Sequence, residues 1–355
     1  MSSYTVSSSP QITHKGNSTR RIMLDVLIAL SPAVVAAIIF FGHHVAINVL
    51  CCGLFSWGFE TLWSMFRARE WNAQGFKKAS SWDCSCMVTG VIIALNMPAT
   101  VSVWELDVVS KTGAIIFSFD TVLVCLIASL VAIILVKQLF GGIGRNFANP
   151  AATARVFMLI TFGAGFIVSQ TTGWVLDATT GATWLSSNKS TSSSMLLDMF
   201  IGNVGAGAVG ETCVIAILLG YAYLVIRKVI DWRIPLMIIG WTALFALLFD
   251  GLIQSKLSGS DLWLNVISHV LSGGLIFGSV FMATDYATSP NTFAGNCIFA
   301  FGIALLTMLI RVFASYPEGF SFALLIMNCV APLIDKYVYP KPFGACAKNK
   351  KEKSR

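Results

Sequence analysis

Charge is what this chain lacks. Asp, Glu, Lys and Arg make up 12% of its 355 residues, against about 25% in an ordinary soluble domain. Half the usual load cannot clothe a water-facing surface. With 56% hydrophobic residues, the composition excludes a soluble enzyme, a disordered chain and a nucleic-acid-binding domain. Metal-site patterns are missing too. The nine cysteines are mostly single and lie in apolar runs, as Cys125, Cys213, Cys297 and Cys329 do. The close sets, Cys51-Cys52 and Cys84-Ser85-Cys86, lack the spacing of a zinc or cluster site, so no metal is expected. There is no cleavable signal pattern. Residues 1–19 are polar and Ser/Thr-rich, and the first apolar segment is long enough to stay in a bilayer.

Long apolar runs are what the chain has. Mean hydropathy is +0.76, and a bilayer-crossing helix needs about 20 apolar residues. Ten segments qualify or nearly so: 22–41, 45–66, 84–98, 113–137, 155–169, 206–226, 234–252, 264–283, 295–315 and 319–339. The third and fifth are short and end near Gly or Pro. Broken spans of this kind are tolerated only against protein or a cavity, because lipid cannot satisfy free backbone groups. The basic residues set the orientation. With the N-terminus inside, most of the 24 Lys and Arg fall on the inner side, including Lys137, Arg145 and Arg155. Only Lys111, Lys189 and Lys256 fall outside, and Arg311 lies within the ninth span. Both termini are therefore expected to be cytoplasmic, and the net charge of +7 needs no nucleic acid to explain it.

An internal similarity divides the chain. Residues 89–100 read TGVIIALNMPAT and residues 273–284 read GGLIFGSVFMAT, sharing Gly90/Gly274, Ile92/Ile276 and Ala99-Thr100/Ala283-Thr284. The run from Pro150 likewise answers the run from Pro317. The offset is five spans, which reverses the direction of each copy. The expectation is an all-α polytopic membrane protein, with about ten transmembrane helices in two inverted five-helix repeats and sites near their interface. Residues 1–21 form a cytoplasmic N-terminal segment, 22–169 the first repeat, 170–205 an extracytoplasmic loop, 206–339 the second repeat and 340–355 a basic cytoplasmic tail.

Loop 170–205 is polar and reads by composition as a flexible linker. Within it, Asp177-Ala178-Thr179-Thr180-Gly181-Ala182-Thr183 resembles the D-x-x-[S/T]-G-A-[S/T] signature at which a flavin transferase joins FMN to a hydroxyl through a phosphoester. The acceptor position is Thr183; Gly181 and Ala182 leave the backbone open to a modifying enzyme and a flat ring. Ala178 stands where Gly is usual.

Other segments point to the same family. Ser9-Pro10-Gln11-Ile12-Thr13-His14, Thr19-Arg20-Arg21-Ile22-Met23-Leu24 and the run from Lys137 to Ala151 with its Gly141-Gly142-Ile143-Gly144 core resemble RnfD subunits of the Rnf complex. So do Thr284-Asp285-Tyr286-Ala287-Thr288 (Tyr286 replacing a proline), Tyr316-Pro317-Glu318-Gly319 and Ala331-Pro332-Leu333-Ile334-Asp335. The related NqrB subunits share several of these pieces but have a longer N-terminal region, so RnfD is the nearer fit. The resemblance implies an inner-membrane subunit relaying electrons through covalent FMN, during ferredoxin-to-NAD⁺ electron transfer coupled to Na⁺ or H⁺ export. It implies partners, including a second covalent-FMN subunit and iron–sulfur subunits, and by analogy a noncovalent riboflavin in the bundle. An NqrB-type quinone-reductase role and a non-redox channel or transporter are the alternatives.

The remaining candidates each carry two readings. The Gly141–Gly144 segment is a tight loop rather than a phosphate cradle, since no strand precedes it. Asn149-Pro150 reads as a helix start with Asn as cap; a flavin-proximal Asn149 is the other reading. Asp285, Thr288 and Ser289 are either a solvated helix terminus or flavin-proximal groups. Ionisable residues inside spans suggest function; here they are Glu60, Asp120, Glu211, His269 and Arg311. Glu60 and Glu211 are the ion-path candidates, with a paired structural acid as the other reading. Arg311 is expected to pair with one of the acids, and Asp25 and Asp250 to be solvated.

Overall fold

The computed structural model describes residues 18–72, 75–76, 79–101, 107–109, 115–163, 169–172, 177–180, 193–202, 208–249, 260–314 and 319–338. Each of the ten apolar segments carries a helix. In chain order these are α1 (Thr19–Phe41), α2 (His43–Ala68), α3 (Ser85–Asn96), α4 (Phe119–Leu130, continued by a π-helical stretch Val131–Gln138) and α5 (Pro150–Phe162). After a connecting helix α6 (Ser193–Ile201) come α7 (Val214–Ile226), α8 (Arg233–Leu248), α9 (Ser260–Leu271), α10 (Leu275–Phe281), α11 (Phe293–Phe313) and α12 (Phe320–Tyr337). Among the described residues five helices are long and apolar enough to cross a membrane, and α9 with α10 forms a pair bent by 46° at a short break.

Local chemistry explains the ends. Ser18 caps α1 by accepting from Arg21 N–H, and Asn149 caps α5 by accepting from Ala151 and Ala152 N–H, with Pro150 at the first helical position. The cap moves the start of α5 to residue 150, ahead of the apolar run that begins at 155. At the α9–α10 break, Gly273 and Gly274 take positive φ of 62° and 51°. The carbonyls freed there do not face lipid. Arg311 donates to His269 O, Ser272 O (3.0 Å) and Gly273 O (3.0 Å). Arg311 thus serves a broken helix end, where the sequence suggested an acid.

Helix faces follow the same logic. Small residues pack inward: Ala29, Ala33 and Ala37 of α1 are buried, while Ile28, Val35 and Ile39 are exposed. Gly220 of α7 lies so close to α1 that a Cβ there would clash with Ala29 O. Close backbone approach through small residues is how helices associate where no hydrophobic force drives them together.

Two elements break the all-helical expectation. Antiparallel hairpins join β1 (Asp107–Val109) to β2 (Ile115–Ser118) and β3 (Ser169–Thr172) to β4 (Asp177–Thr180). The 170–205 segment therefore holds part of a hairpin and helix α6, not a featureless linker. Its Thr-rich runs supply the β-branched residues that pair Gln170 with Thr179 and Thr171 with Ala178.

Candidate functional site

The two repeat-like segments become α3 and α10, both short. Their C-terminal ends meet: Asn96 Nδ2 lies 3.5 Å from Met282 Sδ, and Asn149 Nδ2 donates to Met282 O at 3.1 Å. Around this junction lies a polar belt. Arg155 Nη1 donates to Asn96 Oδ1 at 2.6 Å, and Arg155 Nη2 is 2.8 Å from Glu211 Oε1, with both side chains 5% exposed. Glu211 sits in a 3-10 turn, Val209–Glu211, ahead of α7 rather than inside a span. That turn is pinned by Val209 N–H donating to Met97 O at 3.3 Å.

A second buried pair lies nearer the Gly-rich loop. Glu60 of α2 is fully buried, and Lys137 Nζ reaches its Oε2 at 2.6 Å. Lys137 also donates to Ser85 Oγ at 2.6 Å, and Ser80 Oγ donates to Glu60 Oε1 at 3.2 Å. The basic partner is delivered by the π-helical end of α4. Such widened turns re-aim side chains and recur at functional sites. The charge pattern of the sequence counts Lys137 and Arg155 among the inner-side residues; both are buried in ion pairs and do not act as loop charges. The signal available in sequence is that each interrupts an apolar run, as the acids do.

Two cavities flank this pair. A vestibule of about 440 Å³ runs from exposed Arg67 and Ile143 down to Glu60, past Asp83, Gln138 and Gly142. A more apolar cavity of about 170 Å³ is walled by Val26, Ile92, Leu224 and Phe281, with Ser85, Lys137, Asn146, Asn149, Thr284 and Asp285 among its polar groups. The Gly-rich loop and the Thr284–Thr288 segment, far apart in sequence, thus share one site. Gly141, Gly142 and Gly144 take φ of 116°, 92° and 79°, which makes the loop the tight turn expected of it.

Asp285 is not simply solvated. It is half-buried, and its carboxylate accepts from Ala287 N–H at 3.3 Å and from Thr288 Oγ1 at 3.5 Å. Burial pushes its carboxyl up from the usual range, against opposing hydrogen bonds from Ala287, Asn146 and Thr288 and the charge of Lys137. Asp335 binds Asn291 through N–H (3.0 Å) and Nδ2 (2.9 Å), which anchors the loop after that segment. Asp25 is likewise paired, with Arg227 at 3.1 Å and Tyr223 Oη at 3.1 Å.

The attachment motif is described only in part. Asp177 and Thr180 mark the two ends of strand β4. Gly181, Ala182 and Thr183 lie outside the described residues, as do Asp250 and the terminal segments.

Broken short helices, buried ion pairs and lipid-type exterior faces define a polytopic helical membrane protein. Its sequence places it further. The family model described as NQR2, RnfD, RnfE matches residues 5–344, and the chain belongs to that family. It is 36% identical, over 98% of its length and 97% of the relative's, to the D subunit of the Na(+)-translocating ferredoxin:NAD(+) oxidoreductase complex of Acetobacterium woodii. It is 32% identical, over 96% of each chain, to the D subunit of the proton-translocating ferredoxin:NAD(+) oxidoreductase complex of Clostridium ljungdahlii. Identity is 35% to the B subunit of the Na(+)-translocating NADH-quinone reductase of Chromohalobacter salexigens, over 78% of this chain and 61% of that protein.

Proposed function

We propose that this chain is the membrane electron-transfer subunit of an ion-translocating ferredoxin:NAD⁺ oxidoreductase, carrying FMN on Thr183 through a phosphoester. The carrying observation is the attachment motif Asp177–Thr183 in a chain similar from end to end to the D subunits of two such complexes. Strand β4 bears Asp177 and Thr180 on a hairpin, directly ahead of Gly181-Ala182-Thr183 in the sequence. When bound, FMN supplies one- and two-electron transfer; the chain supplies attachment, orientation and polarity.

In this reading ten spans in two inverted repeats cross the bacterial inner membrane, with both termini cytoplasmic. In its support, α2 packs on α3 and α4 as α8 packs on α9 and α11. The fourth helix packs on the fifth in each half, and the two short helices meet at the centre. Partners are the other subunits of the complex, among them a second covalent-FMN subunit and iron–sulfur subunits. Riboflavin is a second, noncovalent flavin. Asn146, Asn149 and Asp285 suit the edge of its ring, but the cavity of about 170 Å³ is below the roughly 300 Å³ of usual cofactor sites. Its walls must yield to admit the ring.

Ion transport is assigned to Glu60, reached by the vestibule, with Glu211 beyond the central junction. Na⁺ or H⁺ export is the coupled work. The test is the visible spectrum of acid-precipitated protein. Flavin absorbance that stays with the pellet supports the reading; a colourless pellet favours a non-redox transporter of this topology.

A further inference from the structure

The Glu60–Lys137 pair lies between the two cavities. Glu60 lines the vestibule, Lys137 lines the apolar cavity, and the two side chains meet at 2.6 Å where the cavities adjoin beside Ile143. The ammonium donates to two oxygens, Glu60 Oε2 and Ser85 Oγ, and Ser80 Oγ donates to the other carboxylate oxygen. A carboxylate with hydroxyls is the hard-oxygen set that a small monovalent metal ion also selects. Lys137 therefore stands where such an ion would stand.

Two features let it leave. The side chain sits on a π-helical stretch, where small adjustments of the turn redirect it. The cavity on its other side offers polar company in Asp285 and Asn146, and the Lys137 charge is already felt at Asp285. Displacement then exchanges one cation for another at Glu60, so no charge is left bare in the membrane interior.

We propose that Lys137 is a tethered counter-ion occluding a Na⁺ site at Glu60, and that its withdrawal toward the apolar cavity opens that site to Na⁺ from the vestibule. This rests on the reading of Glu60 as an ion-path residue. It adds the residue that decides when the site is free.

Carbodiimide labelling of Glu60 in membranes carrying the assembled complex tests it. Dicyclohexylcarbodiimide reacts with protonated carboxyls in apolar surroundings. An ion-paired Glu60 should be inert, whereas Lys137→Gln removes the paired ammonium and frees the buried carboxyl to react. The expected result is a rise in Glu60 labelling of about tenfold or more in Lys137→Gln, suppressed by excess NaCl and not by choline chloride. Lys137→Arg keeps the charge and should stay inert, which separates loss of occlusion from loss of folding. Glu60→Gln with Lys137→Gln should show no label at this position, fixing the site. Equal labelling of wild type and Lys137→Gln would overturn occlusion by Lys137 while leaving Glu60 on an ion path. Strong labelling of Lys137→Gln that Na⁺ does not suppress would overturn the Na⁺ site and with it the proposal, while leaving Glu60 open to a role on a path for H⁺.

Discussion

Arg155→Gln is the perturbation whose cost the geometry defines best. The guanidinium joins three elements: α5 that carries it, α3 through Asn96 at 2.6 Å, and the turn before α7 through Glu211 at 2.8 Å. Both charged side chains are 5% exposed, so solvent screens little. Removing one partner of a buried ion pair costs about 3–5 kcal/mol, and Asn96 Oδ1 loses a charged donor worth about 1.5–3 kcal/mol. The two figures overlap because one guanidinium serves both, so about 4 kcal/mol is the working value. At about 1–2 °C per kcal/mol for a chain of this size, the melting midpoint in detergent should fall by several degrees. Tryptophan fluorescence reads it directly. Glu211→Gln should cost a similar amount, and the double variant should cost less than the sum by about 2 kcal/mol or more, because neither buried charge is then left alone. Additive losses, or an unchanged midpoint in Arg155→Gln, would refute the central belt.

Glu60→Gln should lower coupled Na⁺ or H⁺ uptake by vesicles more than it lowers assembly, by about tenfold against twofold or less. Gln keeps the shape and can still accept from Lys137, but it lacks the charge that offsets a cation. Uptake at the wild-type rate would make Glu60 a packing residue. For sidedness, an impermeant thiol reagent should label a Cys placed at Ser187 in intact cells and reach Cys346 only after lysis; the reverse pattern would invert the proposed topology.

Much of the architecture is legible in the sequence because apolar run length is a direct physical requirement of the bilayer. The short third segment, the Asn149 cap and the Gly141–Gly144 turn all follow from local residue chemistry. What the sequence hides is partnership. Lys137 and Arg155 look like inner-loop charges because hydropathy cannot say that a lysine at a helix end turns inward. Their pairing with Glu60 and Glu211 depends on helix packing and on a π-helical stretch without a sequence mark. Arg311 has the same lesson: it donates to backbone carbonyls freed by a helix break. Glu211 looks intramembrane because the apolar run begins before it, yet the chain turns there and the helix starts at Val214. The hairpin β3–β4 escapes a reading by composition, since Thr and Ser suit a linker as well as a strand, and only pairing tells the two apart.

The most direct measurement on the central claim is mass spectrometry of peptides spanning Asp177–Lys189 and the Ser-rich run after them, from protein expressed with its flavin transferase. The predicted result is one FMN phosphoester on Thr183, absent in Thr183→Ala although that variant still inserts, and retained in Thr180→Ser. FMN on Thr179, Thr180, Thr191 or Ser192–Ser194, or an unmodified Thr183 in protein from an active complex, would contradict it.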